Sequence, residues 1–279
     1  MINAALLLSA FTSSALFDLS KAYFLVAGIA GVNLKESTLG TVALAKNAVQ
    51  VDLQLEFDGR EIPSTWTASY VPLGATSLGS YAKIIYGTEV FELNDNLRRL
   101  AMHFAQSAIL SDSDEAVKTR DKYANSLGEM YHAAALKPSV IEGDVSSSNT
   151  FFHGHLLCEA VERVVKVYTD TGADYCMTAQ KDTTVLAALV RAALLGQVDF
   201  SMVILMRSRS NFDRPHSDNV IPDVPFTLDR GGFRPACKNL HVVGLKILGG
   251  ILGQWAQKFA KGIPADNYIG DIYLSLIHI

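Results

Sequence analysis

Cysteine is scarce, with three in 279 residues (Cys158, Cys176 and Cys237). No two of them have C-x-x-C or zinc-ligand spacing. An odd, sparse count gives no support to a disulfide framework, and buried free thiols are the expectation. Charge of one sign is also lacking. The chain carries 24 Lys and Arg against 28 Asp and Glu, a net charge of −4, and the acids are scattered. With no basic excess, nucleic acid is not an expected partner. No apolar run reaches the ~18–20 residues a membrane helix needs. The nearest, Met1 to Phe17, has no basic residue ahead of it and does not read as a signal peptide. Ser9, Thr12 and Ser13 recur there at helical spacing, which predicts a half-buried helix. Patterns for dinucleotide, ATP, serine-hydrolase or zincin chemistry are absent. His153-x-His155 has no third ligand in view, so no metal is expected. The compartment is not legible from cysteine.

What is present is a core. The chain is 49% hydrophobic, enough for one large domain. Ala22 to Ala27 is an unbroken apolar run ending at Gly28-Ile-Ala-Gly31, which suits a strand buried on both faces and then a sharp turn. Gln50 to Phe57 alternates polar and apolar residues, predicting a strand with one wet face. The cluster Asp58-Gly-Arg60-Glu61 follows and reads as a solvated turn. Residues 62 to 92 read as irregular structure rich in Tyr, Gly and Pro, and so long a loop is often functional when it is ordered. Asn94 can cap a helix with Leu97, Ala101 and Ala105 on its apolar face. A polar helix follows, to about Leu127. Ser139 to Val145 predicts a strand, residues around Leu156 to Tyr168 a helix, Tyr175 to Met177 a strand, and Leu186 to Ala193 a helix. Met202 to Met206 predicts a second fully apolar strand ending at Arg207. A proline-containing loop is expected from about 208 to 235, then a helix over about 239 to 260 stopped by Pro264. Alternating strands and helices imply an α/β domain with a mainly parallel sheet.

Three strand ends carry unusual residues: Gly28 to Gly31, Tyr175 to Asp182, and Arg207 to Pro215. In a parallel sheet all three lie on one rim, where ligands bind. Phe151 and Phe152 are adjacent aromatics, either packed or forming a stacking surface for a flat heterocycle. Arg207, Arg209 and Arg214 flank Asp213, a set suited to holding an anion or to locking that carboxylate.

The stretches Tyr23-Phe-Leu-Val-Ala-Gly-Ile-Ala-Gly-Val32, Phe57-Asp-Gly-Arg-Glu-Ile-Pro63, Tyr86-Gly-Thr-Glu-Val-Phe91, Tyr175-Cys-Met-Thr-Ala-Gln180, Ser210-Asn-Phe-Asp-Arg-Pro215 and Gly231-Gly-Phe-x-Pro235 occur in order. Together they resemble the fungal form of the purine nucleoside permease family over residues 1 to 263. That family is similar in fold to nucleoside phosphorylases and methylthioadenosine nucleosidases. The resemblance implies a three-layer α/β/α sandwich with a mixed central sheet, in one domain over 1–263 with a tail over 264–279. It also implies that a first strand is missing ahead of Met1. Separately, Leu274-Ser-Leu-Ile-His-Ile279 resembles the translation of a common transposon sequencing adaptor and is expected not to be native.

In function it implies a purine nucleoside as ligand. The full-length form is expected to cleave the N-ribosidic bond by hydrolysis or phosphorolysis, with binding without chemistry, as part of uptake, as the alternative. No cofactor is implied, phosphate being a co-substrate on the phosphorolytic reading. Homo-oligomers are compatible with it, and many relatives begin with a secretion signal. By the same resemblance Gly28, Ala30 and Gly31 line the base pocket, Phe151 or Phe152 stacks on the purine, and Met177 lies against the ribose. Where the wider superfamily has a ribose-binding glutamate this chain has Thr178, so Gln180 or Asp182 takes over that duty. Asn211 faces purine N7, Asp213 is the candidate acid, and Arg60 and Arg207 complete the substrate contacts.

Overall fold

The computed structural model describes residues 1–124, 128–216 and 230–274. The first helix, α1 (Ile2–Thr12), leads into strand β1 (Phe24–Val32). There follow β2 (Val42–Ala45), β3 (Asn47–Gln50), the hairpin β4 (Gln54–Glu56) and β5 (Tyr70–Pro72), and β6 (Val90–Glu92). Helices α2 (Asp95–Ala105) and α3 (Asp114–Ala124) precede β7 (Val140–Glu142) and β8 (Asp144–Ser147). The chain continues through α4 (His155–Tyr168), β9 (Tyr175–Ala179), α5 (Asp182–Leu194), β10 (Val203–Phe212), α6 (Phe233–Gly253) and β11 (Gly270–Asp271).

Among the described residues nine strands form one mixed sheet in the order β11-β6-β3-β8-β9-β1-β10-β2-β7. Pairing is parallel for β1 with β10, β2 with β7, β3 with β8 and β8 with β9, and antiparallel elsewhere. β2 runs into β3 past Lys46, and β7 into β8 past Gly143, so the sheet curls back on itself. Asp144 holds that kink by accepting the backbone N–H of Lys46 (3.1 Å) and Asn47 (2.7 Å). Gly143 is needed there, because a Cβ would lie 2.5 Å from Cys176 Sγ.

Side-chain alternation builds three layers. Ala43 and Ala45 of β2, with Val203 and Leu205 of β10, pack on Leu186, Leu189 and Val190 of α5. Their neighbours Val42, Leu44, Ile204 and Met206 pack on the opposite layer, α2 and α6. Val49 and Tyr175 meet α4 through Cys158, Val161 and Val165. Asn94 caps α2 as expected, its Oδ1 accepting the Leu97 N–H at 3.2 Å. Within the Tyr86–Phe91 motif, buried Glu89 accepts the backbone N–H groups of Tyr86, Gly87 and Thr88, which fixes the end of the long loop.

Several expectations need correction. The alternating run from Gln50 to Phe57 is two short strands broken at 51–53, not one. The first six residues of β1, Phe24 to Ile29, are not fully buried, with Ile29 39% exposed, because β9 does not pair with them there. β10 does not end at Met206 but continues to Phe212. α6 starts earlier than expected and ends at Gly253, before Pro264. In α1 the polar Thr12 is the buried residue, its hydroxyl donating to the Leu8 carbonyl at 3.0 Å, while Leu6 and Leu7 face outward. Cys237 is exposed, and only Cys158 and Cys176 are buried. Part of the tail is ordered into the sheet through β11, which pairs with β6. Residues 217–229 of the proline-containing loop and 275–279 of the suspected adaptor lie outside the described residues.

Candidate functional site

The cleft arises where two strands part. β1 pairs with β10 over its whole length, but with β9 only at Gly31↔Thr178 and Val32↔Met177. Beyond that contact β9 follows β8, and Ser148 N–H donates to the Ala179 carbonyl at 3.0 Å. A wedge of about 420 Å³ opens between Ala27–Gly31 on one side and Thr178–Lys181 on the other. Ser148, Thr150, Phe151 and Phe152 close one end, and Arg207, Ser210, Asn211 and Asp213 of the β10 segment line the floor.

A bulge in β10 shapes that floor. The register with β1 steps from Ala30↔Arg209 to Gly31↔Asn211, leaving Ser210 as the extra residue. In an unbroken strand consecutive side chains point to opposite faces. With the extra residue, both Ser210 and Asn211 line the cleft. Ser210 Oγ donates to Asn211 Oδ1 at 3.0 Å, which leaves the amide nitrogen toward Gly31. A Cβ on Gly31 would lie 2.5 Å from Thr178 Oγ1 and 3.3 Å from Asn211 Nδ2, so the close approach of the three tips requires glycine. Gly232, from the Gly231-Gly-Phe motif, serves the same end behind the bulge, since a Cβ there would strike the Ser210 carbonyl.

The carboxylates are tied down. Asp213, 2% exposed, accepts from Tyr175 Oη (2.7 Å), Arg214 Nε (3.0 Å) and Arg214 Nη2 (2.9 Å). Arg214 Nη2 also donates to Asn33 Oδ1 at 3.1 Å, and Asn33 Nδ2 donates to Glu162 Oε1 at 2.8 Å. Burial by itself would lower the Arg214 pKa, but Asp213 outweighs it and holds the guanidinium charged. Burial, then the neighbouring Asp213, pushes the Tyr175 phenol well above its ordinary value, so it stays a donor. The Asp213 carbonyl meanwhile accepts Gly154 N–H at 3.0 Å, joining the end of β10 to the start of α4. Asp182 is fully buried and forked by Arg207 through Nε (3.0 Å) and Nη2. Arg207 Nη1 sits beside Gly28 on the cleft wall.

Of the expected site residues, Gly28, Ala30, Gly31, Phe151, Phe152, Gln180, Arg207, Asn211 and Asp213 line this one cleft. Three do not. Met177 is fully buried in the core against α5, because its β9 neighbour Thr178 takes the cleft-facing position. Asp182 is spent on Arg207. Arg60, its side chain 89% exposed, forks Asp58 in a surface turn at 2.9 and 2.6 Å, and holds that carboxyl down to about 2. Asp213 reaches the cleft, where its oxygens already accept from Tyr175 and Arg214. The expectation of one parallel rim also fails, because β9 meets β1 antiparallel. Sequence reading did not single out Ser210 as the bulge or Ser148, Thr150 and Lys181 as walls. Their only signal was adjacency to the motifs. His155 is taken by Tyr131, with Nδ1 2.9 Å from Oη.

Fold and cleft thus define an α/β protein with a ligand-sized wedge where its central sheet splits. The family model for purine nucleoside permease matches residues 1–264. A purine nucleoside permease of Candida albicans is 35% identical over 281 residues, covering 99% of this chain and 68% of that protein. A Schizosaccharomyces pombe protein described as a probable purine nucleoside permease is 32% identical over 263 residues, covering 91% and 74%. The chain belongs to the purine nucleoside permease family. Among solved structures it is similar to a 5'-methylthioadenosine/S-adenosylhomocysteine nucleosidase of Campylobacter jejuni (TM-score 0.46, 16% identity, covering 89% of this chain and 75% of that one). A nucleosidase of Colwellia psychrerythraea in complex with adenine gives a TM-score of 0.44 at 15% identity, covering 89% and 74%. No described helix is long and apolar enough to cross a membrane.

Proposed function

We propose that the wedge between β1 and β9 binds a purine nucleoside. The observation that carries this reading is the convergence of Gly31, Thr178 and Asn211 at one point of a cleft with phenylalanines at its end. A flat base fits between the Gly28–Gly31 backbone and the Phe151 or Phe152 ring, where stacking and apolar burial favour it. Asn211 Nδ2 is a donor for a purine ring nitrogen or carbonyl. The hydroxyls of Ser148, Thr150 and Thr178, with Gln180, are partners for ribose.

Cleavage of the N-ribosidic bond is the second reading. Asn211 favours it, because a hydrogen bond to the departing purine stabilises the charge that develops there. A general acid is harder to find, since Asp213 and Asp182 are both paired with arginine. Phosphate enters only here, with Arg207 and Lys181 as the cations on the wall. Binding with the nucleoside left intact is therefore the better supported role.

The test is equilibrium dialysis with inosine, guanosine and adenosine, followed by chromatography of the recovered ligand, with and without phosphate. Saturable binding and intact nucleoside are expected. Asn211→Ala is expected to weaken binding about tenfold or more, the cost of a lost hydrogen bond in a buried site. Failure to bind any purine nucleoside defeats the proposal, and release of free base moves the conclusion to the second reading.

A further inference from the structure

The outward face of α6 has no described neighbour. Leu245, Leu248 and Leu252 are 55%, 44% and 70% exposed, and their spacing puts them on one stripe. Gly249 and Gly253 lie beside them, and a Cβ on either would meet nothing within 4 Å. The leucines therefore stand proud of bare backbone. Trp255, 37% exposed, follows the stripe with its ring edge-on to Tyr23 at 5.9 Å.

Charge marks the same segment. From residue 230 to 265 there are six Lys and Arg and no Asp or Glu, leaving 18 basic against 28 acidic residues in the rest of the chain. Lys238 and His241 precede the leucines on the same helical face, Lys246 flanks them, and Lys258 and Lys261 follow. None of these lysines has an ion-pair partner among the described residues. On the adjoining α2 and α3 segments Asp95 is engaged by Arg98 and Arg99, and Asp112 by Arg120.

We infer that this face of α6 docks on an anionic lipid surface. Exposed leucines with a tryptophan at their end and cations around them match a helix lying in the headgroup plane. The helix lies on the surface and does not span the bilayer. A second copy of the chain is the less suitable occupant, because two such faces would bring lysines together with no carboxylate between them. An acidic protein would satisfy the lysines but leaves the projecting leucines unexplained.

The experiment is co-sedimentation of the full chain with vesicles of phosphatidylcholine alone or mixed with phosphatidylserine, at low and high salt. Binding is expected only to the anionic vesicles, falling as salt screens the lysines. Leu248→Ser with Leu252→Ser is expected to reduce the bound fraction about tenfold or more. Neutralising Lys238 or Lys246 is expected to weaken binding about fivefold each, a second handle should the serine variant fold poorly. Leu7→Ser, on the opposite layer, is expected to bind like the parent. No sedimentation with anionic vesicles overturns the proposal. So does binding insensitive to the α6 changes, or a dimer in sedimentation equilibrium that the leucine changes dissolve.

Discussion

At the scale of single residues, the informative fact is that both carboxylates at the cleft, Asp182 and Asp213, are committed to arginines. Asp213 illustrates it. The family resemblance suggested an acid, and the fold buries it against Tyr175, 38 residues away in the chain, and Arg214. The pair with Arg214 has a cost if broken. Arg214→Met should destabilise the fold by about 3–5 kcal/mol, because a buried carboxylate loses its counter-charge. Urea unfolding measures this, and a loss well under 1 kcal/mol would mean that Asp213 is not dependent on that pairing. The glycines carry the opposite lesson. Gly31 was legible as a close-approach position from sequence, and Thr178 and Asn211 are what approach it.

At the scale of elements, periodicity located helices well and strand ends poorly. α4 and α5 follow their apolar repeats, and α2 starts at its asparagine cap. β10 was truncated in the reading because Arg207 and Arg209 look like loop residues. They are inside the strand because Asp182 pairs with one, while Ser37 Oγ (2.6 Å) and Cys176 Sγ (2.8 Å) accept from the other. Ion pairing also fixes the approach to α3. Asp112 accepts from Arg120 Nη1 at 2.9 Å and Nη2 at 2.5 Å. Burial raises the Asp112 pKa, but the Arg120 bonds, the Ser113 N–H and nearby charges outweigh it and leave the carboxyl below 3.8. A depressed folded value gives stability that is present above the unfolded pKa and lost as pH falls through the folded one. Asp112→Asn should therefore cost about 1–2 kcal/mol at neutral pH, and progressively less as pH falls through the depressed folded value. Thermal melts of both proteins across the acid range would show the curves converging, and a constant gap would refute the assignment.

At the scale of the whole molecule, the sheet decides which groups meet solvent. Three thiols looked alike in sequence, yet burial pushes Cys176 up to about 11 and Cys158 well above its ordinary value, while Cys237 lies exposed on α6. A thiol reagent should modify one cysteine quickly in the native protein and all three after denaturation. Rapid reaction at two or more would mean the sheet opens readily. The cleft is likewise a property of the whole. It exists because β9 pairs with β1 over two residue pairs and then leaves with β8.

Sequence by itself determined the family, the α/β class, the apolar faces of the helices and most of the segments that supply the cleft. Those follow from local spacing and from motifs that survive as strings of neighbours. Only the tertiary structure decided that β9 runs against β1, that Thr178 and not Met177 faces the wedge, that Asp182 and Asp213 are consumed by arginines, and that Arg60 stands apart. These depend on contacts between residues far apart in the chain, and strand direction and the choice of ion-pair partner leave no periodic trace in the order of amino acids.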